Sequence, residues 1–140
     1  MKQRVAVITL AVHDLGASLR FYCDGLGWAP AWRNDEVAFF QFNGFVFALW
    51  SKSAFEADSK TTVVPRSHAI AIAHNVEDRN EVDALMRLAQ SAGATVLRAP
   101  ELQPWGGYSG YFEDPDGHVW EVAHNPVWEL TPDGTTLFRQ

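Results

Sequence analysis

Cysteine is nearly absent: Cys23 is the single one in 140 residues. No internal disulfide and no CxxC pair is available, so a reducing, cytoplasmic setting is expected. Positive charge is also short, with 11 Lys and Arg against 17 Asp and Glu and a net charge of −6. Phosphate backbones bind basic surfaces, which removes nucleic acid from the expected partners. No apolar run reaches the length of a membrane span, and Met1–Leu10 lacks the long apolar core of a signal peptide, so no membrane partner is expected. There is no glycine loop of the phosphate-cradling kind and no nucleophile beside a base at motif spacing. What the chain has is apolar and aromatic mass, 47% and 13% of its residues, enough for one domain or two small modules.

The segment Trp105–Pro126 (WGGYSGYFEDPDGHVWEVAHNP) is the most informative. Strand-favouring residues run to Phe112, and Asp114-Pro115-Asp116-Gly117 supplies a tight turn, with Pro presetting φ and Gly free to take a positive value. His118–His124 returns as a strand on which Glu121 shares a face with Val119 and Ala123. A lone carboxylate on an apolar strand face is costly to bury unpaired, so it marks a partner or a task.

The chain runs through one plan twice. Val5–Val12 reads as a buried strand, and Asp14 caps a helix that presents Leu15, Leu19 and Tyr22 to a core and ends at Gly25 and Gly27. Trp28–Arg33 is a weaker strand, with Pro30 at an edge or bulge, and Glu36–Phe42 and Phe45–Trp50 flank the hairpin signal Asn43-Gly44. The plan restarts with the strand His68–His74, a helix capped by Asp78 and Glu81 and presenting Val82, Leu85, Met86 and Ala89, a strand Ala94–Ala99, and the Tyr108–His124 hairpin. The expected fold class is α+β: a βαβββ module over residues 1–50, a linker over 51–67, a second βαβββ module over 68–125 and a tail over 126–140.

This order, together with ITLAVHDLGASLRFYCDGLGW, SHAIAIAHNVED and GYFEDPDGHVWEVAHNP, resembles the vicinal oxygen chelate superfamily of glyoxalases, bleomycin resistance proteins and extradiol dioxygenases. The resemblance spans roughly Val5–Asn125. It implies two modules whose curled mixed sheets form a cup around a small-molecule ligand, and chains of this length that pair as homodimers. Metal-dependent members draw ligands from four strand positions. Here those positions hold Val7, Ala48, His68 and Glu121, so two ligands are present and two are apolar. Two donors fall short of the three that catalytic zinc takes from protein, or the two His and one carboxylate of a facial-triad iron. No cofactor, or a weakly held divalent metal on His68 and Glu121, is therefore the expectation.

Strand alternation assigns the faces. With Asn43-Gly44 as the turn, Phe42, Phe40 and Ala38 oppose Phe45, Phe47 and Leu49 on the helix side, leaving Phe39, Gln41 and Trp50 on the cup side. On His68–His74 the expected cup face is His68, Ile70, Ile72 and His74, with the alanines under the helix. Four turn residues in the last hairpin set Phe112 against Val119, Tyr111 against Trp120 and Gly110 against Glu121. The expected ligand-binding set is Phe39, Gln41, Trp50, Trp105, Tyr108 and Phe112, with Trp105 doubling as a candidate loop anchor. His68 and Glu121 admit three readings: a hydrogen-bonded pair at a former metal position, an acid–base or ligand-orienting pair, or a weak metal site. The leading function is a glyoxalase/bleomycin-resistance-type protein binding a small, partly apolar or aromatic molecule. The alternative is a divalent-metal-assisted lyase, isomerase or dioxygenase.

Overall fold

The computed structural model describes residues 1–138, which divide into two compact units with the boundary after Pro65. In the first unit, β1 (Val7–Val12) is followed by a short α1 (Leu15–Leu19) that runs directly into a π-helical segment, Arg20–Gly25. Then come β2 (Trp32–Arg33), β3 (Val37–Phe42), β4 (Phe45–Ser51) and α2 (Lys52–Ser59). The sheet order is β1-β4-β3-β2, with β1 parallel to β4 and the other pairs antiparallel.

Asp14 starts the helix as expected, its carboxylate accepting from the Ala17 N–H at 3.0 Å. The wider π turn buries Phe21 and Tyr22 together, so the buried face differs from the 3.6-residue pattern read from Leu15, Leu19 and Tyr22. Asn43-Gly44 sets the hairpin in the register its chemistry predicts: Phe42 opposite Phe45, Phe40 opposite Phe47, Ala38 opposite Leu49. Phe40 and Phe47 are buried, and the Phe47 ring meets those of Tyr22, Trp28 and Phe42. That aromatic cluster is the first unit's core. Only Trp32–Arg33 of the expected Trp28–Arg33 strand pairs, and the segment expected as a bare linker contains α2, whose Phe55 lies edge-on to Trp50 at 6.1 Å.

The second unit has β5 (Ala71–Asn75), α3 (Arg79–Ser91), β6 (Thr95–Leu102), β7 (Tyr108–Glu113) and β8 (Val119–His124), in sheet order β5-β8-β7-β6. Asp78 caps α3 by accepting from the Glu81 N–H at 3.0 Å, while the Glu81 carboxylate reaches back to the Glu77 N–H at 2.9 Å. Val82, Met86 and Ala89 are buried against β6, β7 and β8. The edge strand β6 is longer than expected and irregular; two register shifts let it carry Pro100, which has no N–H to give a ladder. The expected tail holds a small hairpin, β9 (Glu129–Leu130) and β10 (Thr136–Leu137). Among the described residues no helix is long and apolar enough to cross a membrane.

Candidate functional site

The second sheet has one face packed against α3 and one that α3 leaves uncovered, termed the open face although Ser109 and Glu113 on it are buried, and three contacts settle which is which. The Tyr108 hydroxyl donates to Asp83 of α3 at 2.9 Å. A Cβ placed on Gly110 would lie 3.0 Å from the Met86 terminal methyl carbon. Phe112 is buried and stacked on buried Trp120. Tyr108, Gly110 and Phe112 therefore face the helix, and alternation puts Ser109, Tyr111 and Glu113 on the open face.

This corrects the expected site in two ways. Tyr108 and Phe112 were expected on the ligand side; they are helix-side residues. The hairpin explains why. Glu113 pairs with Val119, Phe112 with Trp120, Tyr111 with Glu121 and Gly110 with Val122, one residue out of the expected register. His118 stays in the turn, which is five residues long. The Asp114 carboxylate accepts from the N–H groups of Asp116 and His118 at 3.0 and 2.9 Å, and the Asp114 N–H donates to the His118 carbonyl at 3.0 Å. A single-residue change of register moves every side chain of one strand to the other face relative to its partner.

The second correction is β5. Its strand begins at Ala71, and Ala71, Ala73 and Asn75 pair in parallel with Val119, Glu121 and Ala123. The alanines are thus on the open face with Glu121, and Ile72 and His74 are on the helix side with Trp120 and Val122. His68 precedes the strand at a positive φ of 52° and places Nε2 against the Glu113 carboxylate, to which Arg66 also donates. The structure brings His68 to Glu113 and not to Glu121, so the expected His68–Glu121 pair is not formed.

What Glu121 does meet is Tyr111, its direct partner across the β7–β8 ladder. Burial pushes the Tyr111 hydroxyl above its ordinary range, the Glu121 charge and hydrogen bond push the same way, and the Arg98 guanidinium opposes them. Arg98 lies over the Tyr111 ring at 5.1 Å and donates to the Ser109 hydroxyl at 2.8 Å and to Glu101 at 3.0 Å. Neither Arg98 nor Tyr111 stands out in the sequence. The signal that finds them is the register that sets both beside Glu121.

A raised phenol pKa favours the protonated form in the native state. The stability it contributes is full below the ordinary tyrosine value, about 10, and is lost as pH rises through the folded value. Of the three tyrosines, Tyr108 is also raised, first by its hydrogen bond to Asp83. In an ultraviolet tyrosinate titration, Tyr111→Phe is expected to remove one tyrosine's amplitude from the late phase and to flatten the loss of stability above about pH 10. An unchanged late phase would mean that Tyr111 is not raised in the folded protein.

The first unit places Phe39, Gln41 and Trp50 opposite Ala48, Val46 and Val37, on the face away from the aromatic core. Phe39 stacks on exposed Trp32 at 5.8 Å. Gln41 donates its amide to the carbonyls of Phe42 and Phe45 at 2.8 and 3.2 Å, so it braces the hairpin. Trp50 is half-buried beside Phe55. Trp105 sits at the tip of the β6–β7 loop, packed against Gly107, with the loop closed by Gln103 N–H to Gly107 carbonyl at 2.9 Å. That is a loop-anchor position.

The family's four-ligand metal set does not fit these residues. Val7 and Ala48 pair with Val46 and Thr9 and offer no donor, and His68 is engaged with Glu113. Among the described residues no three His, Cys, Asp or Glu side chains are grouped to hold a metal ion.

A solved structure described as a glyoxalase-related enzyme from Fulvimarina pelagi superposes with a TM-score of 0.94 at 47% identity, covering 99% of this chain and 100% of that one. A metallothiol transferase of Shouchella clausii is 28% identical over 116 residues, 82% of this chain and 75% of that protein. An uncharacterised protein of Mycobacterium bovis is 45% identical over 53 residues, 38% of this chain, so the match spans only 34% of that relative. The model of the Glyoxalase/Bleomycin resistance protein/Dioxygenase superfamily matches residues 4–122, and the chain belongs to that family.

Proposed function

We propose that this protein binds a compact, partly aromatic or apolar small molecule on the open face of one of its sheets, without a metal centre completed by its own side chains. The observation that carries the reading is the contrast between the two sheets. Two of the four family metal positions are Val7 and Ala48, while Glu121, Tyr111 and Arg98 form one cross-strand row on the second sheet, with the Arg98 guanidinium over the Tyr111 ring. Apolar walls with a few placed polar groups suit small-molecule recognition. The Trp32–Phe39 stack supplies an aromatic wall in the first unit. Pairing of two chains belongs to this reading, and a monomeric mass by light scattering would remove that part.

The test combines elemental analysis of freshly purified protein with a thermal-shift screen. Sub-stoichiometric metal is expected, together with compounds that stabilise the protein and cease to do so in Glu121→Gln or Trp32→Ala. Near-stoichiometric Zn, Ni, Mn or Fe that is lost in Glu121→Gln would overturn the metal-free reading. It would favour a second one, a metal-assisted lyase, isomerase, dioxygenase or transferase. The likeness to a glyoxalase-related enzyme over the whole chain, and to a metallothiol transferase over most of it, is what recommends that alternative.

A further inference from the structure

We propose that the Arg98 guanidinium is a carboxylate-receiving fork, and that the ligand of this face is a small organic carboxylate carrying a hydrogen-bond donor at its far end, which Glu121 accepts. The inference rests on the reading that the open face of the second sheet binds a small molecule, and adds the ligand's class.

The geometry begins with one cross-strand row. Ala73, Glu121, Tyr111 and Arg98 are directly opposite one another across β5, β8, β7 and β6. Adjacent strands lie about 4.8 Å apart, so the backbones of Arg98 and Glu121 are separated by roughly 9–10 Å, with the Tyr111 side chain between. The row thus offers a cation at one end and an anion at the other. Ala73, beyond Glu121, presents only a methyl group and leaves space beside the carboxylate.

Arg98 is oriented before any ligand arrives. The guanidinium carbon lies 5.1 Å from the Tyr111 ring centroid, and Nη2 is tied to the Ser109 hydroxyl, which is 0% exposed. The other terminal nitrogen, Nη1, donates to the Glu101 carboxylate, three residues along the same edge strand. Nη1 therefore already donates to a carboxylate oxygen, one arm of the fork that a ligand carboxylate would engage. The Glu101 side chain is 61% exposed, and an exposed ion pair of this kind contributes little, so a ligand carboxylate displaces it at small cost.

The far end is specified by charge. Glu101, Glu113 and Glu121 share the face, and Arg66 and His68 are already engaged with Glu113. A plain anion would meet repulsion from Glu121, whereas a hydroxyl or ammonium group would meet an acceptor-only carboxylate. Tyr111 lies directly opposite Glu121, on the side of the row that leads to Arg98.

Matched probes separate the two ends: 4-(aminomethyl)benzoate has both groups, 4-methylbenzoate lacks the amine and benzylamine lacks the carboxylate. Binding to the full chain is followed by calorimetry and by the NMR resonance of the Arg98 Nε–H. The two-ended probe is expected to bind about tenfold tighter than either single-ended one, and Arg98→Gln and Glu121→Gln each to weaken it about tenfold. Glu101→Gln removes the internal competitor and is expected to tighten binding, a result that a merely structural Arg98 would not produce. Equal binding of 4-methylbenzoate or benzylamine, an unmoved Arg98 resonance, or no gain in Glu101→Gln would overturn the inference. Stabilising compounds without an acidic group, indifferent to Arg98→Gln, would overturn it while sparing the broader small-molecule reading; a screen with no stabilising compound would count against that reading itself.

Discussion

Phe47→Ala is expected to cost the first unit about 3–5 kcal/mol, the usual range for deleting a buried aromatic ring. Phe47 is fully buried, stacked on Phe42 at 5.1 Å and edge-on to Tyr22 and Trp28 at 5.8 and 5.7 Å. These partners come from the π-helical segment, the loop after it and β3, so the surrounding walls have little freedom to collapse into the space. Urea denaturation read by tryptophan fluorescence measures the effect, because Trp28 lies in the cluster. A shift equivalent to less than about 1 kcal/mol would mean that the first unit's stability resides elsewhere.

Gly110→Val is the second large effect, and it decides which face of β7 is covered. The first added carbon would meet the Met86 methyl at 3.0 Å, the Arg98 carbonyl at 3.1 Å and Pro100 Cγ at 3.1 Å. The methionine can swing aside, but the carbonyl belongs to the β6 backbone, and valine adds two more methyl groups behind the first. Overpacking of this kind costs about 1–3 kcal/mol. If Gly110 instead faced open space beside Glu121, valine would cost nothing and would raise strand propensity. A melting temperature equal to or above that of the parent protein would therefore reverse the face assignment on which the Arg98–Tyr111–Glu121 row depends.

Much of the scaffold is legible before any coordinates. Asn43-Gly44 admits few turn geometries, so six cross-strand pairs follow from two residues. Asp78 with Glu81, ahead of Val82, Met86 and Ala89, marks α3 because cap and apolar stripe agree. The family follows from the repeated plan and the DPDG hairpin. The linker over 51–67 and the tail over 126–140 carry α2, β9 and β10, short elements with weak local signals. The α2 segment buries no residue of its own and owes its place to contacts such as Phe55 on Trp50.

The site was less legible, for a reason of parity. Asp114-Pro115-Asp116-Gly117 announces a turn but not its length; the Asp114 side chain, gathering the N–H groups of Asp116 and His118, and the Asp114 N–H on the His118 carbonyl hold His118 inside it. That one residue moves Tyr111 to Glu121 and sends Tyr108 and Phe112 to the helix. Strand β5 was ambiguous for a related reason. In HAIAIAH, small residues alternate with larger ones, and either face suits a helix. Pairing with β8 decides it, placing Ala73 beside Glu121. The linear chain thus determined the two βαβββ modules, the first hairpin's register and the absence of donors at Val7 and Ala48, because each is local in sequence. Tertiary structure alone decided that Glu121 stands opposite Tyr111, that Arg98 lies over Tyr111, and that His68 meets Glu113. Side-chain direction in a sheet alternates every residue, and only the assembled ladder sets its phase.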